Sequence, residues 1–179
     1  MGMGRVNSLD LGKLEWYKKN GCYPEIAEWI RNKDLEHFVQ WILPDGISVR
    51  FPMDLPNREK LVEEFKTLVR RVAKVKSIDE ISDYIDVVMT KEFVIDPPLP
   101  SDIDARKLLK HIAKWERQSY RERIKGFKKY TIYIVYGGRY KKVHEVVYLK
   151  RGKKYLHIAE EVPSGSFMVK KVPLDEVKK

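Results

Sequence analysis

Apolar positions recur at two different periods along this chain, and the change of period divides it. Up to about residue 92 the spacing is helical. Leu11, Leu14 and Tyr17 mark a short helix over 9–19, stopped by Asn20-Gly21. Pro24 suits a first helical turn, and Ile26, Trp29 and Ile30 carry a second helix to Arg31. Asp34 is placed to cap a third, with Leu35, Phe38, Val39, Trp41 and Ile42 along it. After the turn Pro44-Asp45-Gly46, residues 47–51 alternate as a short strand. Asn57 then caps a long helix over 58–75, whose apolar side is Leu61, Phe65, Leu68, Val69 and Val72. Ser77 and Glu80 stand at capping-box spacing, which predicts a further helix over 78–92 burying Ile81, Ile85, Val88 and Met89. Three short helices in succession have the outline of a helix-turn-helix, but Asp34 and Glu36 would repel phosphate at its reading end. Core packing is the better role for Trp29 and Trp41.

Asp96-Pro97-Pro98-Leu99-Pro100-Ser101 cannot be helical and reads as a stiff connector, placed at 93–101. Ser101 caps a long helix over 102–125, with Ile103, Leu108, His111, Ile112 and Trp115 inward and Asp102 and Asp104 at its positive end. Gly126 ends it. From Lys129 the period becomes two. Tyr130, Ile132, Ile134 and Tyr136 form a first strand, and Gly137-Gly138 turns the chain into a second over 142–149. Lys150-Arg151-Gly152-Lys153 is a basic tip, Tyr155–Ala159 a third strand, and Phe167–Val172 a fourth after the turn at 163–166. The tail, 174–179, is a last helical turn or loose. The expected fold class is α+β: a helical N-terminal portion, 1–92, then the connector, then a long basic helix and a small three- to four-stranded antiparallel sheet over 102–179.

Charge sharpens this division. Residues 1–100 hold 15 Lys and Arg against 17 Asp and Glu, whereas 101–179 hold 21 against 9. The net charge of +10 is therefore segregated, −2 in one part and +12 in the other, which argues for a partner-facing surface. Thirteen Lys or Arg lie between Arg117 and Lys154, opposed only by Glu122 and Glu145 and interleaved with seven aromatic residues. Dense cation threaded with rings suits a polyanion that also offers flat bases. The expected contact residues are Arg117, Arg121, Lys125 and Lys128 on the helix end and just beyond it. Arg139, Tyr140, Lys141, Lys142, Lys150, Arg151, Lys153 and Lys154 join them in the two turns of the sheet. Tyr140 or Tyr148 would offer a ring to an unpaired base.

Other chemistry has little to work with. One cysteine, Cys22, excludes an internal disulfide framework and a multi-cysteine metal site. No phosphate-binding, dinucleotide or zincin motif occurs, and no cofactor or metal is expected. The first residues lack the apolar stretch of a signal peptide, no span of about 20 apolar residues is present, and a cytoplasmic location is expected. Charged residues at 35% with a single cysteine fit a heat-adapted, thermophilic source. His144, Tyr148, His157 and Lys153 share one meander, and a Tyr/His/Lys trio can cleave RNA without metal by moving two protons beside a cation.

Two segments resemble known families. KKYTIYIVYGGRYKKVHEVVYL is similar to the region around the first catalytic arginine of archaeal tyrosine recombinases. The resemblance implies that role for Arg139, although Lys142 stands where that family usually has glutamate. EVVYLKRGKKYLHI resembles the strand-hairpin-strand of archaeal tRNA-splicing endonucleases, with Lys153 and Lys154 where that family needs histidine. Each resemblance covers under a quarter of the chain, and neither assigns it to a family. The expected function is non-catalytic binding of DNA or RNA, as an accessory subunit in replication, recombination or RNA processing. The alternatives are a metal-independent nuclease, a tyrosine-recombinase-derived fragment, or a protein-interaction module with a basic face. The near-neutral N-terminal half is the expected place for a protein partner or self-association, with no membrane contact.

Overall fold

The computed structural model describes residues 22–112 and 123–179, together with the backbone of 119–121. These form two compact units, one of residues 22–92 with 135–141, the other of 93–134 with 142–179. The helix expected over 9–19 lies outside the described residues.

The first unit is built on a four-stranded antiparallel sheet in the order β1-β2-β4-β3, covered on one side by helices. Helix α1 (Pro24–Asn32) has Pro at its first turn and buries Ile26, Ala27 and Ile30. The chain then departs from expectation. After a 3₁₀ turn at Glu36–Phe38, residues Val39–Leu43 are strand β1, not the third helix. Leu43 pairs with Gly46 across a two-residue Pro44-Asp45 turn, which makes a hairpin with β2 (Gly46–Arg50). Ile42 points into the core while Trp41 and Leu43 stay exposed, so the operative period is two. Gly46 is obligatory: a Cβ there would lie 2.8 Å from the Val87 carbonyl oxygen.

Helix α2 (Arg58–Val72) follows its expected apolar side, with Val62, Phe65, Leu68 and Val69 buried. Phe65 is fully buried, its ring 5.4 Å from that of Phe51 and 5.7 Å from that of Trp29. Asn57 precedes the helix in the left-handed region, φ 58, and makes no side-chain cap. The next helix is absent. Its residues form β3 (Val75–Ile81), β4 (Tyr84–Met89) and the start of β5 (Lys91–Asp96). Ser82, φ 59, turns β3 into β4, and Asp83 is held by Arg50 at 2.7 Å. Glu80 caps nothing; it accepts from Lys66 at 2.5 Å. Ile85, Val87 and Met89 fill the core face. Residues 135–141 complete this unit. The Gly137 N–H donates to the Thr90 carbonyl and its own carbonyl accepts from Lys74, each at 2.8 Å. At φ 60, with the Tyr23 hydroxyl 2.5 Å from where a Cβ would stand, only glycine fits.

The second unit holds a six-stranded sheet in the order β5-β7-β8-β9-β10-β6. Its members are β5, β6 (Ser119–Arg121), β7 (Lys128–Tyr136), β8 (Tyr140–Arg151), β9 (Tyr155–Glu161) and β10 (Phe167–Pro173). Tyr130, Ile132, Val147, Leu149, Leu156, Ile158 and Val172 pack on one side against Leu108 and Ile112 of α3 (Ala105–Ile112) and against Leu174 and Val177. Asp104, rather than Ser101, caps α3 by accepting from the Lys107 N–H at 3.1 Å. Lys170 is buried and donates to the His111 carbonyl, a cation at the negative end of the helix. The long helix expected to reach Lys125 is therefore corrected: α3 is described over Ala105–Ile112, whereas 119–121 is strand and 125–126 is a turn. Of the two readings of the tail the helical turn holds, as a 3₁₀ turn at Leu174–Glu176, and Ile103 bridges Lys178 beyond it.

Two sheets and three helices among the described residues replace the expected fold class of a helical N-terminal portion with one small sheet. None of these helices is long and apolar enough to cross a membrane.

Candidate nucleic-acid interface

The twelve expected contact residues are divided by their surroundings. Arg117 lies outside the described residues. The backbone of Arg121 pairs with Phe167, and Lys125 sits in the turn before β7. A helix face shared by Arg117, Arg121 and Lys125 therefore does not form. Lys128 is exposed at the start of β7, its Nζ 5.6 Å from the Tyr130 ring centroid. Arg139, Tyr140 and Lys141 belong to the first unit; Lys142, Lys150, Arg151, Lys153 and Lys154 belong to the second.

Both described arginine side chains of the set are engaged with acids. Arg139 bonds Glu25 at 2.6 Å and lies 5.9 Å from the Tyr23 ring, and that hydrogen bond holds the Glu25 carboxyl below its ordinary range. Burial pushes the Tyr23 phenol well above its usual range. The role implied for Arg139 by the recombinase resemblance would have to displace this pairing. Arg151 grips both Asp102 oxygens, at 2.7 and 2.5 Å, and its hydrogen bond depresses the Asp102 pKa.

The lysines are arranged otherwise. In the second unit the side of the sheet turned away from α3 carries Lys150, His157 and Lys171 as register partners across β8, β9 and β10. Strand spacing places these three side by side over about 10 Å. The next row is Tyr148, Ala159 and Val169, and the one beyond it includes Glu161 and Phe167. The Tyr148 and Phe167 rings meet edge to face at 5.3 Å. Lys171 extends its Nζ to 5.9 Å from the exposed Tyr155 ring. The segment entering β7 lies against the same side: Phe127 is 6.4 Å from the His157 ring, and the Lys150 side chain runs beside Gly126. Arg123, Lys125 and Lys129 on that segment are exposed, as are Lys153 and Lys154 in the β8–β9 turn, whereas Lys128, also exposed, shares the α3 side of β7 with Tyr130.

Lys171, Tyr155 and Phe167 were missed as site residues. Each alternates along its strand as an outward position, and only hairpin register unites them. Of the residues considered for RNA cleavage, His144 and Tyr148 do not converge. His144 and Tyr148, four apart on one strand, are separated by about 13 Å. Their rings meet different partners, His144 with Phe93 at 5.5 Å and Tyr148 with Phe167. Glu145, whose pKa is raised by burial, is the nearest acid in sequence to either. Among the described residues no three His, Cys, Asp or Glu side chains cluster as metal ligands. In the first unit an open cleft of about 550 Å³ is lined by Asp45, Glu92, Lys76 and Lys91, whose charges balance. Compared with family models, curated proteins and solved structures, the chain matches none.

Proposed function

We propose that this chain binds nucleic acid without cleaving it, through the cations of the second unit, as an accessory subunit in replication, recombination or RNA processing. The observation that carries the reading is the Lys150–His157–Lys171 row, flanked by Lys125, Lys128, Lys129, Lys153 and Lys154 on one sheet and its connections. Side chains of like charge collected on a single sheet repel one another, and a polyanion relieves that repulsion while releasing its own counterions. The test is the affinity of the full chain for DNA and RNA, single- and double-stranded, at 50 and 200 mM salt. A phosphate-driven site loses affinity steeply between the two. Affinity unchanged by salt would overturn the reading, and labelled RNA cleaved in EDTA would favour a nuclease instead.

A second surface supports contact with protein through the first unit. On the outward side of its sheet Trp41, Leu43, Ile81 and Val88 are exposed. Light scattering of the wild type and of Trp41→Glu measures self-association there.

A further inference from the structure

We propose that the outward side of the six-stranded sheet is a stacking platform, so that the preferred ligand is single-stranded nucleic acid rather than duplex. This rests on the nucleic-acid reading above and specifies the ligand of that same site. Phosphate attraction alone takes either form of nucleic acid. Aromatic rings set into a sheet, with lysines one row away, do not.

Tyr148 lies two residues before Lys150 on β8, about 7 Å along the strand and on the same side. Phe167 lies on β10 beyond Val169 and meets Tyr148 edge to face at 5.3 Å. Ala159, fully buried, lies on the strand between those of the two rings. Both rings are half-buried, so each keeps part of its surface open to a partner. Tyr155, exposed and paired with Lys171, offers another ring at the other end of the cation row. A base stacked on Tyr148 places its own phosphate toward Lys150, one row away, and Phe167 extends the ring surface in the opposite direction. The bases of a duplex are stacked on one another, so a duplex would gain only the phosphate contacts. The one acid on this side among the residues in register here is Glu161, beside Phe167 and away from the lysines.

Fluorescence anisotropy of the full chain with labelled 12-nucleotide oligo(U) and oligo(dT), and with a 12-base-pair duplex, tests this at 50 mM salt. Tyr148→Leu and Phe167→Leu are each expected to weaken single-strand binding by about 5- to 150-fold and to leave duplex binding unchanged. Tyr148→Phe keeps the ring and is expected to bind as the wild type does, which separates stacking from a folding defect. The platform is refuted if duplex binds as tightly as single strand, or if the leucine variants weaken both alike while still folded. Displacement of the oligonucleotide by polyglutamate of equal charge would also refute it, and would assign the face to acidic protein. If no nucleic acid binds at 50 mM salt, the broader reading falls with it; if Lys150→Glu weakens binding but the leucine variants do not, only the platform falls.

Discussion

Lys150 and Arg151 are neighbours in sequence, and replacing each in turn by alanine separates a phosphate contact from an internal ion pair. Lys150 stands opposite His157 and Lys171 on the outward side of the sheet, whereas Arg151 stands opposite the buried Leu156, and its guanidinium is taken up by both oxygens of Asp102. For a single strand each neutralised phosphate contributes a slope of about −0.7 to log K against log salt. Taken from a 1 M reference to 0.1 M, one contact is worth about fivefold in affinity. Lys150→Ala is therefore expected to weaken oligo(U) binding about fivefold at 0.1 M salt and to flatten the slope by about 0.7. Arg151→Ala should leave the slope as it is. The carboxylate it strands on Asp102 is removed in Arg151→Ala/Asp102→Asn, which should bind as the wild type does. Anisotropy titrations at four salt concentrations read both quantities. If Arg151→Ala flattens the slope as much as Lys150→Ala does, the ion pair opens on binding and the assignment of roles is wrong.

Three further outcomes follow from the fold. The Asp102 pKa is depressed by Arg151, so its contribution to stability is present above about pH 4 and is lost as pH falls through the lower folded-state value. Denaturation midpoints of the wild type and Asp102→Asn should differ at pH 6 and draw together as pH falls below about 4; a constant gap would show that the carboxylate is not the source. Phe65→Ala should cost about 3–5 kcal/mol in urea unfolding, and a loss below about 1 kcal/mol would mean that the first core closes over the gap. Ser82→Gly should raise the urea midpoint by relieving a left-handed serine, worth about 0.5–1 kcal/mol once the flexibility of glycine is deducted; a lowered midpoint would refute that strain.

Helix α2 was legible because fifteen residues repeat one apolar spacing, which leaves few other ways to bury them. Strands β7 to β10 were legible from alternation and from Gly137-Gly138. The first sheet was not. Ile78, Ile81, Ile85 and Val88 fit a helix stripe as well as Ile85, Val87 and Met89 fit a strand face, and only partners distant in sequence decide between them. The turn Ser82-Asp83 also lacks the Asn-Gly or Asp-Gly signature that announces a hairpin, and at Asp45-Gly46 the turn was legible but the strand before it was not. Ser77 and Glu80 match a capping box by spacing alone, because Glu80 is drawn to Lys66, fourteen residues away. The long basic helix was drawn on charge beyond Trp115, where nearly every residue to Lys125 is polar or charged, and charge alone carries no period. Of the candidate site, the clustering of cations was visible, but which of them pair internally was not. Glu25 lies 114 residues from Arg139 and Asp102 lies 49 from Arg151. The Lys150–His157–Lys171 row depends on two hairpin registers, and a slip of one residue in either would turn one strand's members to the other side.

Gly137 ties the loop between β7 and β8 to Thr90 and Lys74, and this bears on how the protein can be dissected. A polypeptide truncated at residue 92 would keep both helices and all four strands of its sheet, yet would lack the hydrogen-bond acceptor for the Lys74 amide and the donor for the Thr90 carbonyl. During synthesis those two groups must wait more than forty residues for their partners. Attempts to isolate this half should therefore splice residues 135–141 back on through a short linker, instead of cutting at the proline-rich segment.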